Sequence, residues 1–373
     1  MKIGKHKVLA LVALGAVTLT SGCDYVENLP FEVPWGHRSE ELGAPGLGMQ
    51  WIKNRGHWRA LVAANSDVPE PQPPASADGP AAATIYQNVP VLGHLSIGQF
   101  NRLMVAMTEW VAPDEGCTYC HLPDSMAAEA PYTKLVARKM IEMTIRANEG
   151  WQKHVADTGV TCYTCHRGQP VPDYTWSNIQ DRTIPSKMVD IKQNLPSWNT
   201  AMHALPYNPM ELFLEGDQDI RVTGPEALPI NRRRVMTKQG EETFALMNYI
   251  SKSLGVGCVY CHDARAFERW DFSRPARVTA FYAIRHVREM NLDYINPLLP
   301  IMPEDRKGPT GDMIKVGCAT CHQEVYKPLF GAKMLADYPE LATSGKSAEA
   351  ESVAESEEGN ADTGLVETAQ VME

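Results

Sequence analysis

Four times in this chain a cysteine is followed three residues later by a second cysteine and then at once by a histidine: Cys117-Thr-Tyr-Cys120-His121, Cys162-Tyr-Thr-Cys165-His166, Cys258-Val-Tyr-Cys261-His262 and Cys318-Ala-Thr-Cys321-His322. Eight of the nine cysteines are committed to this pattern, so one chemistry has to explain it four times. A disulfide framework staples domains too small to bury a core, and 373 residues with 44% hydrophobic content have no such need. Zinc would take the paired thiolates and leave the adjoining histidine unexplained in every copy. A thioredoxin-like redox pair accompanies a βαβ pattern, and none is legible here. Covalent haem accounts for each element: the two thiols add across porphyrin vinyl groups as thioethers, and the next residue is placed below the iron as its proximal ligand. The eight motif cysteines are therefore read as attachment points for four haem c groups, with His121, His166, His262 and His322 as axial ligands.

The ninth cysteine, Cys23, has a different setting. Lys2, Lys5 and Lys7 precede an apolar run from Val8 to Thr20 and then Ser21-Gly22, the pattern of a secretory signal over residues 1–22. That run is short for a bilayer span. Cys23 resembles the lipidated residue of a bacterial lipoprotein cleavage site, although Thr20 stands where leucine is usual and Leu19 comes one place early. The formal net charge is −10, and eight acids lie beyond Leu341 against Lys346 alone. Nucleic acid is not an expected partner of such a chain.

Between the ends, the segment 23–95 contains a proline- and alanine-rich stretch (Ser66 to Ala83) expected to run extended over the surface. Two motif-bearing halves, 96–170 and 235–340, flank an irregular connection, 171–234, whose Arg232, Arg233 and Arg234 form either a partner patch or a solvated run. The tail, 341–373, has too few large apolar residues to fold alone.

Each motif is preceded by a helical pattern. Ser96-Ile-Gly-Gln99 reads as a capping box ahead of Phe100, Leu103, Met104, Met107 and Val111, with Pro113 ending the run. Phe244, Met247, Ile250 and Leu254 share a face before Gly255, a C-cap candidate. Pro131 opens a helix through Leu135, Met140, Met143 and Ile145 toward His154, and Pro275 opens one through Phe281, Ile284, His286 and Met290. No comparable stretch alternates like a strand. The class is mainly α with extensive irregular loops: four helix-plus-motif units in two pseudo-symmetric halves.

What fills the sixth iron position decides between electron transfer and small-molecule chemistry. Met104 and Met247 stand thirteen and eleven residues ahead of their motifs, in the similar strings Phe100-Asn-Arg-Leu-Met104 and Phe244-Ala-Leu-Met247. Met107 rivals the first, and Met140, with Met143 as rival, serves the second motif. For the fourth, aligning Ala137-Arg-Lys-Met140 with Ala283-Ile-Arg-His286 favours His286, and Met290 is also available. His154 competes: on an unbroken helix it would lie about 21 Å beyond Met140 and about 40° off the same face, provided Gly150 does not interrupt.

At this level the chain resembles the tetrahaem cytochrome c subunit of purple bacterial photosynthetic reaction centres. TEWVAPDEGCTYCH, GVTCYTCHRG, TFALMNYISKSLGVGCVYCH, CATCHQEVYKPLFGAKMLADYPEL and the central LPYNPM carry the likeness. The resemblance implies that Met104, Met140 and Met247 close haems one, two and three, and that His154 crosses to haem four as the single bis-histidine centre. It also implies a place on the periplasmic face of the photosynthetic membrane, anchored through Cys23 and bound to membrane-embedded subunits carrying bacteriochlorophyll. There the third haem lies nearest the chlorophyll pair, and electrons come from a soluble carrier such as a small cytochrome c or a high-potential iron–sulfur protein. Asp114, Glu115, Asp124 and Glu129 around the first motif are candidates to steer such a carrier. Two rivals remain, a multihaem oxidoreductase acting on a nitrogen or sulfur compound and a free-standing electron shuttle.

Overall fold

The computed structural model describes residues 37–41, 50–179, 193, 200, 204–222 and 237–342. The leader, Cys23, Arg232 to Arg234 and the acidic tail beyond residue 342 lie outside them. The chain divides into two compact units, residues 1–64 and 65–373. In the first, strands β1 (His37–Glu41) and β2 (Gln50–Asn54) form an antiparallel pair, which the sequence pattern did not anticipate. Asn54 closes β2 and caps the next element: its side-chain oxygen accepts from the backbone N–H of Gly56 (2.8 Å) and His57 (3.1 Å) at the start of helix α1, Arg55–Ser66.

Four longer helices organise the second unit: α2 (Ile97–Val111), α3 (Tyr132–Gly150), α4 (Thr237–Leu254) and α5 (Pro275–Glu289). Their ends are set by residues legible in sequence. Ser96 Oγ accepts from the Gln99 N–H while Gln99 Oε1 accepts from the Ser96 N–H, each at 3.2 Å, completing the capping box of α2. Pro275 takes the first turn of α5, and Gly255 adopts φ +60° just past α4. Two details differ from expectation. Helix α3 stops at Gly150 and the chain restarts after Trp151 as a separate turn, Gln152–Val155, so His154 is not on the helix of Met140. Phe244 is exposed, and the buried face of α4 is Ala245, Leu246, Tyr249, Ile250 and Ser253.

Apolar side chains gather in two main clusters. One joins Leu103, Ala106 and Trp110 of α2 with Ile141 and Ile145 of α3, and the chain end returns to it through Leu329, Met334, Tyr338 and Leu341. The other joins Leu246, Tyr249 and Ile250 of α4 with Ile284 and Val287 of α5, and Trp176, Met210, Phe213 and Leu214 enter it from the connecting segment. A smaller cluster holds Ile295, Leu298 and Met313 beside Met140 and Met143.

The proline-rich stretch is indeed without regular structure from Asp67 to Pro80, but it is tied down. Arg102, on α2 and buried, donates to the carbonyl oxygens of Gln72 and Pro73 at 2.9–3.1 Å and lies over the Tyr338 ring at 4.1 Å. Tyr338 Oη in turn accepts from the Gln72 N–H at 2.9 Å. One cation thus satisfies backbone acceptors that an extended segment cannot pair by itself. Arg102→Ala is expected to lower stability by about 3 kcal/mol, because it strands those carbonyls and the nearby Glu340 carboxylate. It should also expose the stretch around Pro73 to limited proteolysis; an unchanged denaturation midpoint and digestion pattern would contradict this.

Candidate functional site

The four motifs take two local conformations. Motifs one and three sit in 3-10 turns, Gly116–Tyr119 and Cys258–Tyr260, whereas motifs two and four are short α-helices, Cys162–His166 and Cys318–His322. The residue before the second cysteine separates them. In the helical pair it is Thr164 or Thr320, whose hydroxyl accepts the N–H of Thr161 or Gly317 at 2.9 Å in both copies; in the other pair it is Tyr119 or Tyr260, which cannot make that short-range cap. After each helical motif two successive residues turn left-handed, Arg167 at φ +51° with Gly168 at +79°, and Gln323 at +46° with Glu324 at +65°. The N–H of Gly168 or Glu324 then bonds to the carbonyl oxygen of Trp110 at the end of α2 (2.9 Å) or of Ser253 at the end of α4 (2.8 Å).

Two asparagines fix the approach to the same two motifs. Asn148 accepts from the Val160 N–H at 2.8 Å and donates to the Val160 and Leu341 carbonyls at 2.9 and 2.8 Å. Asn291 accepts from the Val316 N–H and donates to the Val316 and Leu214 carbonyls, all at 3.0 Å. Each valine lies two residues ahead of its first cysteine. Both amides are buried, so their partners have no water to turn to.

All four motif histidines share one feature that bears directly on metal binding. Nδ1 of each faces a backbone carbonyl oxygen: His121 that of Met126 (2.9 Å), His166 that of Gln169 (2.9 Å), His262 that of Phe267 (2.8 Å) and His322 that of Val325 (3.0 Å). A carbonyl only accepts, so the proton is on Nδ1 and the Nε2 lone pair is free. That is the tautomer an iron ligand requires. Burial lowers the pKa of His166, His262 and His322, which keeps the rings neutral.

The thiols follow the same division. Cys117 and Cys258 are exposed, while Cys162 and Cys318 are buried and burial pushes their pKa values up to about 12. Cys165 and Cys321 are joined in a disulfide. Proximity is the cause. The two motif helices pack on each other with Cα atoms 4.3 Å apart, and Arg167 spans them by donating to the Cys321 carbonyl and to Asn65.

The candidate sixth ligands are distributed as follows. Met104 packs among the first cluster on α2, a helix that touches motif one, and Met247 packs among the second on α4. Met140 packs with the small third cluster. His154, on its separate turn, faces motif four: its ring and that of His322 are stacked at 22° with centroids 6.2 Å apart. A metal held at about 2 Å by one nitrogen of each ring would set the centroids about 6 Å apart. Nδ1 of His154 is occupied by His286 Nδ1 at 2.8 Å, so Nε2 is the free atom. His286 does not share that arrangement. It stacks on Trp151 at 5.1 Å, is 2% exposed, and burial takes its pKa down to about 4. Burial, then the neighbouring imidazoles, also lower the pKa of His154.

Paired thiols with a correctly protonated histidine directly behind them define a c-type cytochrome, in which haem is bound covalently. The family model for the photosynthetic reaction centre cytochrome C subunit matches residues 32–342. The chain is 49% identical over 303 residues to the photosynthetic reaction center cytochrome c subunit of Thermochromatium tepidum, covering 81% of this chain and 74% of that one. It is 43% identical over 347 residues to the subunit of the same name in Rubrivivax gelatinosus, covering 92% and 91%, and 43% identical over 273 residues to that of Roseobacter denitrificans, covering 70% and 74%. The chain belongs to the photosynthetic reaction centre cytochrome c subunit family, and is an electron-transfer component rather than an enzyme.

Sequence reasoning overlooked Asn148, Asn291, Thr164 and Thr320. A signal for the threonines was present, since Tyr, Thr, Tyr and Thr alternate before the second cysteine. Asn148→Leu and Asn291→Leu are each expected to cost about 3 kcal/mol, because three buried backbone groups lose their partner. Urea denaturation of the purified protein checks this; a change under 0.5 kcal/mol would contradict it.

Proposed function

We propose that this chain carries four haem c groups and re-reduces the photo-oxidised bacteriochlorophyll pair of a reaction centre with electrons taken from a soluble periplasmic carrier. The observation that supports it best is the fourfold Nδ1-to-carbonyl bond, which leaves four imidazoles with Nε2 free beside four Cys-x-x-Cys pairs. When bound, the haems supply one-electron iron centres. The residues of the chain hold them by thioethers at Cys117, Cys120, Cys162, Cys165, Cys258, Cys261, Cys318 and Cys321. His121, His166, His262 and His322, together with Met104, Met140, Met247 and His154, would ligate the irons. Two pseudo-symmetric halves are supported by the repeats of capping threonine, left-handed residues and tethering asparagine at motifs two and four.

Thioethers at Cys165 and Cys321 need two thiols. Opening their disulfide takes two electrons and two protons, which a dithiol reductant of the export compartment supplies by thiol–disulfide exchange, itself becoming oxidised.

Orientation is supported by surface chemistry. Around motif three the His262 ring stacks on exposed Phe267 at 5.4 Å, and exposed Trp270, Phe272 and Phe281 lie next in sequence or space. Arg277 sits over Trp270 at 4.0 Å and Arg269 over Phe272 at 4.9 Å. Such an aromatic and arginine face suits contact with a protein partner, here the membrane-embedded subunits. Around motif one, Asp114, Glu115 and Asp124 are exposed and suit attraction of a basic carrier, while Glu129 is already paired with Arg138 at 2.9 Å. No helix among the described residues is long and apolar enough to cross a membrane; we assign the attachment to lipidated Cys23 and to the partner subunits, on the periplasmic face.

In membranes containing the reaction centre, a flash should oxidise c-type haem of this subunit as the chlorophyll pair is re-reduced. Peptide mapping should find porphyrin on all four motifs, Cys165 and Cys321 included, and reduced protein should not bind carbon monoxide. Fewer than four adducts, or ready gas binding at one iron, would favour the oxidoreductase reading. Separately, Trp270→Asp with Phe272→Asp is expected to weaken co-purification with the membrane subunits at least tenfold while leaving haem content intact. Undiminished association would overturn the orientation.

A further inference from the structure

We infer that His286 is a positioning residue for the fourth iron: its Nδ1 accepts the Nδ1–H of His154, fixing that ring with Nε2 toward His322 and making it a more electron-donating ligand than the carbonyl-bonded histidines. The inference rests on the reading of His154 as the sixth ligand. Two ring nitrogens 2.8 Å apart must share one proton, since two lone pairs or two N–H groups would repel. If His154 offers Nε2 to a metal, its own proton is on Nδ1, and His286 is left as the acceptor. The His286 ring is in turn held in place. It is buried, it stacks on Trp151 with planes 16° apart, and Trp151 Nε1 donates to Glu289 Oε1 at 3.1 Å. Glu289 is held by Arg146 Nε at 2.8 Å. This chain of contacts runs from α3 to α5 and anchors the short turn Gln152–Val155, which packs on α5.

His154 is thereby set apart from the four motif histidines, whose Nδ1 atoms all face backbone oxygens. An imidazole nitrogen is a far stronger base than a peptide oxygen, so it draws the shared proton further and raises the basicity of the ring that donates it. A more basic axial ligand favours the oxidised iron and lowers its potential.

The test uses the membrane-bound, haem-loaded protein. His286→Leu removes the acceptor; His286→Gln offers an amide oxygen instead and guards against misfolding of the first variant. At fixed ambient potential, His286→Leu should shift the reduced-to-oxidised ratio of the bis-imidazole haem about tenfold toward reduced, about 59 mV upward. His286→Gln should shift it by less, and the bis-imidazole electron paramagnetic resonance signal should persist in both. An unchanged potential in both variants with that signal intact would overturn the inference and leave the ligand assignment standing. His154→Met is the control: it should remove the bis-imidazole signal. Survival of the signal in His154→Met with its loss in both His286 variants would instead make His286 the ligand and remove both readings.

Discussion

The four motif histidines depend on one modest hydrogen bond, made four times. A bond from Nδ1–H to a carbonyl contributes about 1 kcal/mol of stability, little beside the burial in the two cores. Its consequence is geometric. It chooses the tautomer, turns the ring about its bond to the backbone, and leaves one lone pair aimed away from the motif. The loop that supplies the carbonyl differs between motifs. At His121 and His262 the acceptor lies five residues on, and at His166 and His322 only three.

That difference follows the division between outer and inner motifs. The inner pair are helical, buried, capped by threonine and tethered by an asparagine, and they meet at Cys165 and Cys321. The outer pair, motifs one and three, carry tyrosine in place of that threonine, lie in 3-10 turns and keep their first cysteine exposed. Electron entry and exit on the proposed reading occur at the outer motifs, where a partner can approach, while the inner pair form the rigid middle. The charge and aromatic character of the surface divides the same way: exposed acids accompany motif one, and aromatic rings with arginines accompany motif three.

Local signals in the sequence were sufficient for most of this. The Ser96 capping box, Pro275 and Gly255 are all written within four residues of the feature they determine, and each is found where it was expected. Residues whose partners are distant in sequence could not be read. Asn148 meets Val160 twelve residues on and Asn291 meets Val316 twenty-five residues on, and an asparagine that serves a remote backbone looks like any other. His154 is the instructive case. Helical phase put it near the face of Met140 only if the helix continued, and the break at Gly150 removes that premise. What places it opposite His322 is the packing of its own short turn on α5, a contact between segments more than a hundred residues apart.

The local chemistry explains why a histidine rather than a methionine suits this position. The ring of His154 lies against those of His286 and His322 in a buried region, and burial followed by these two imidazoles lowers its tendency to take up a proton. None can carry a charge cheaply there, so each must find a use for a lone pair and for an N–H. His322 spends its N–H on Val325, and His286 offers a lone pair to His154. A thioether in place of His154 has no N–H to give, and the His286 lone pair would be stranded in the interior. Seating an imidazole there satisfies His286 and sets the His154 ring 6.2 Å from that of His322, centroid to centroid.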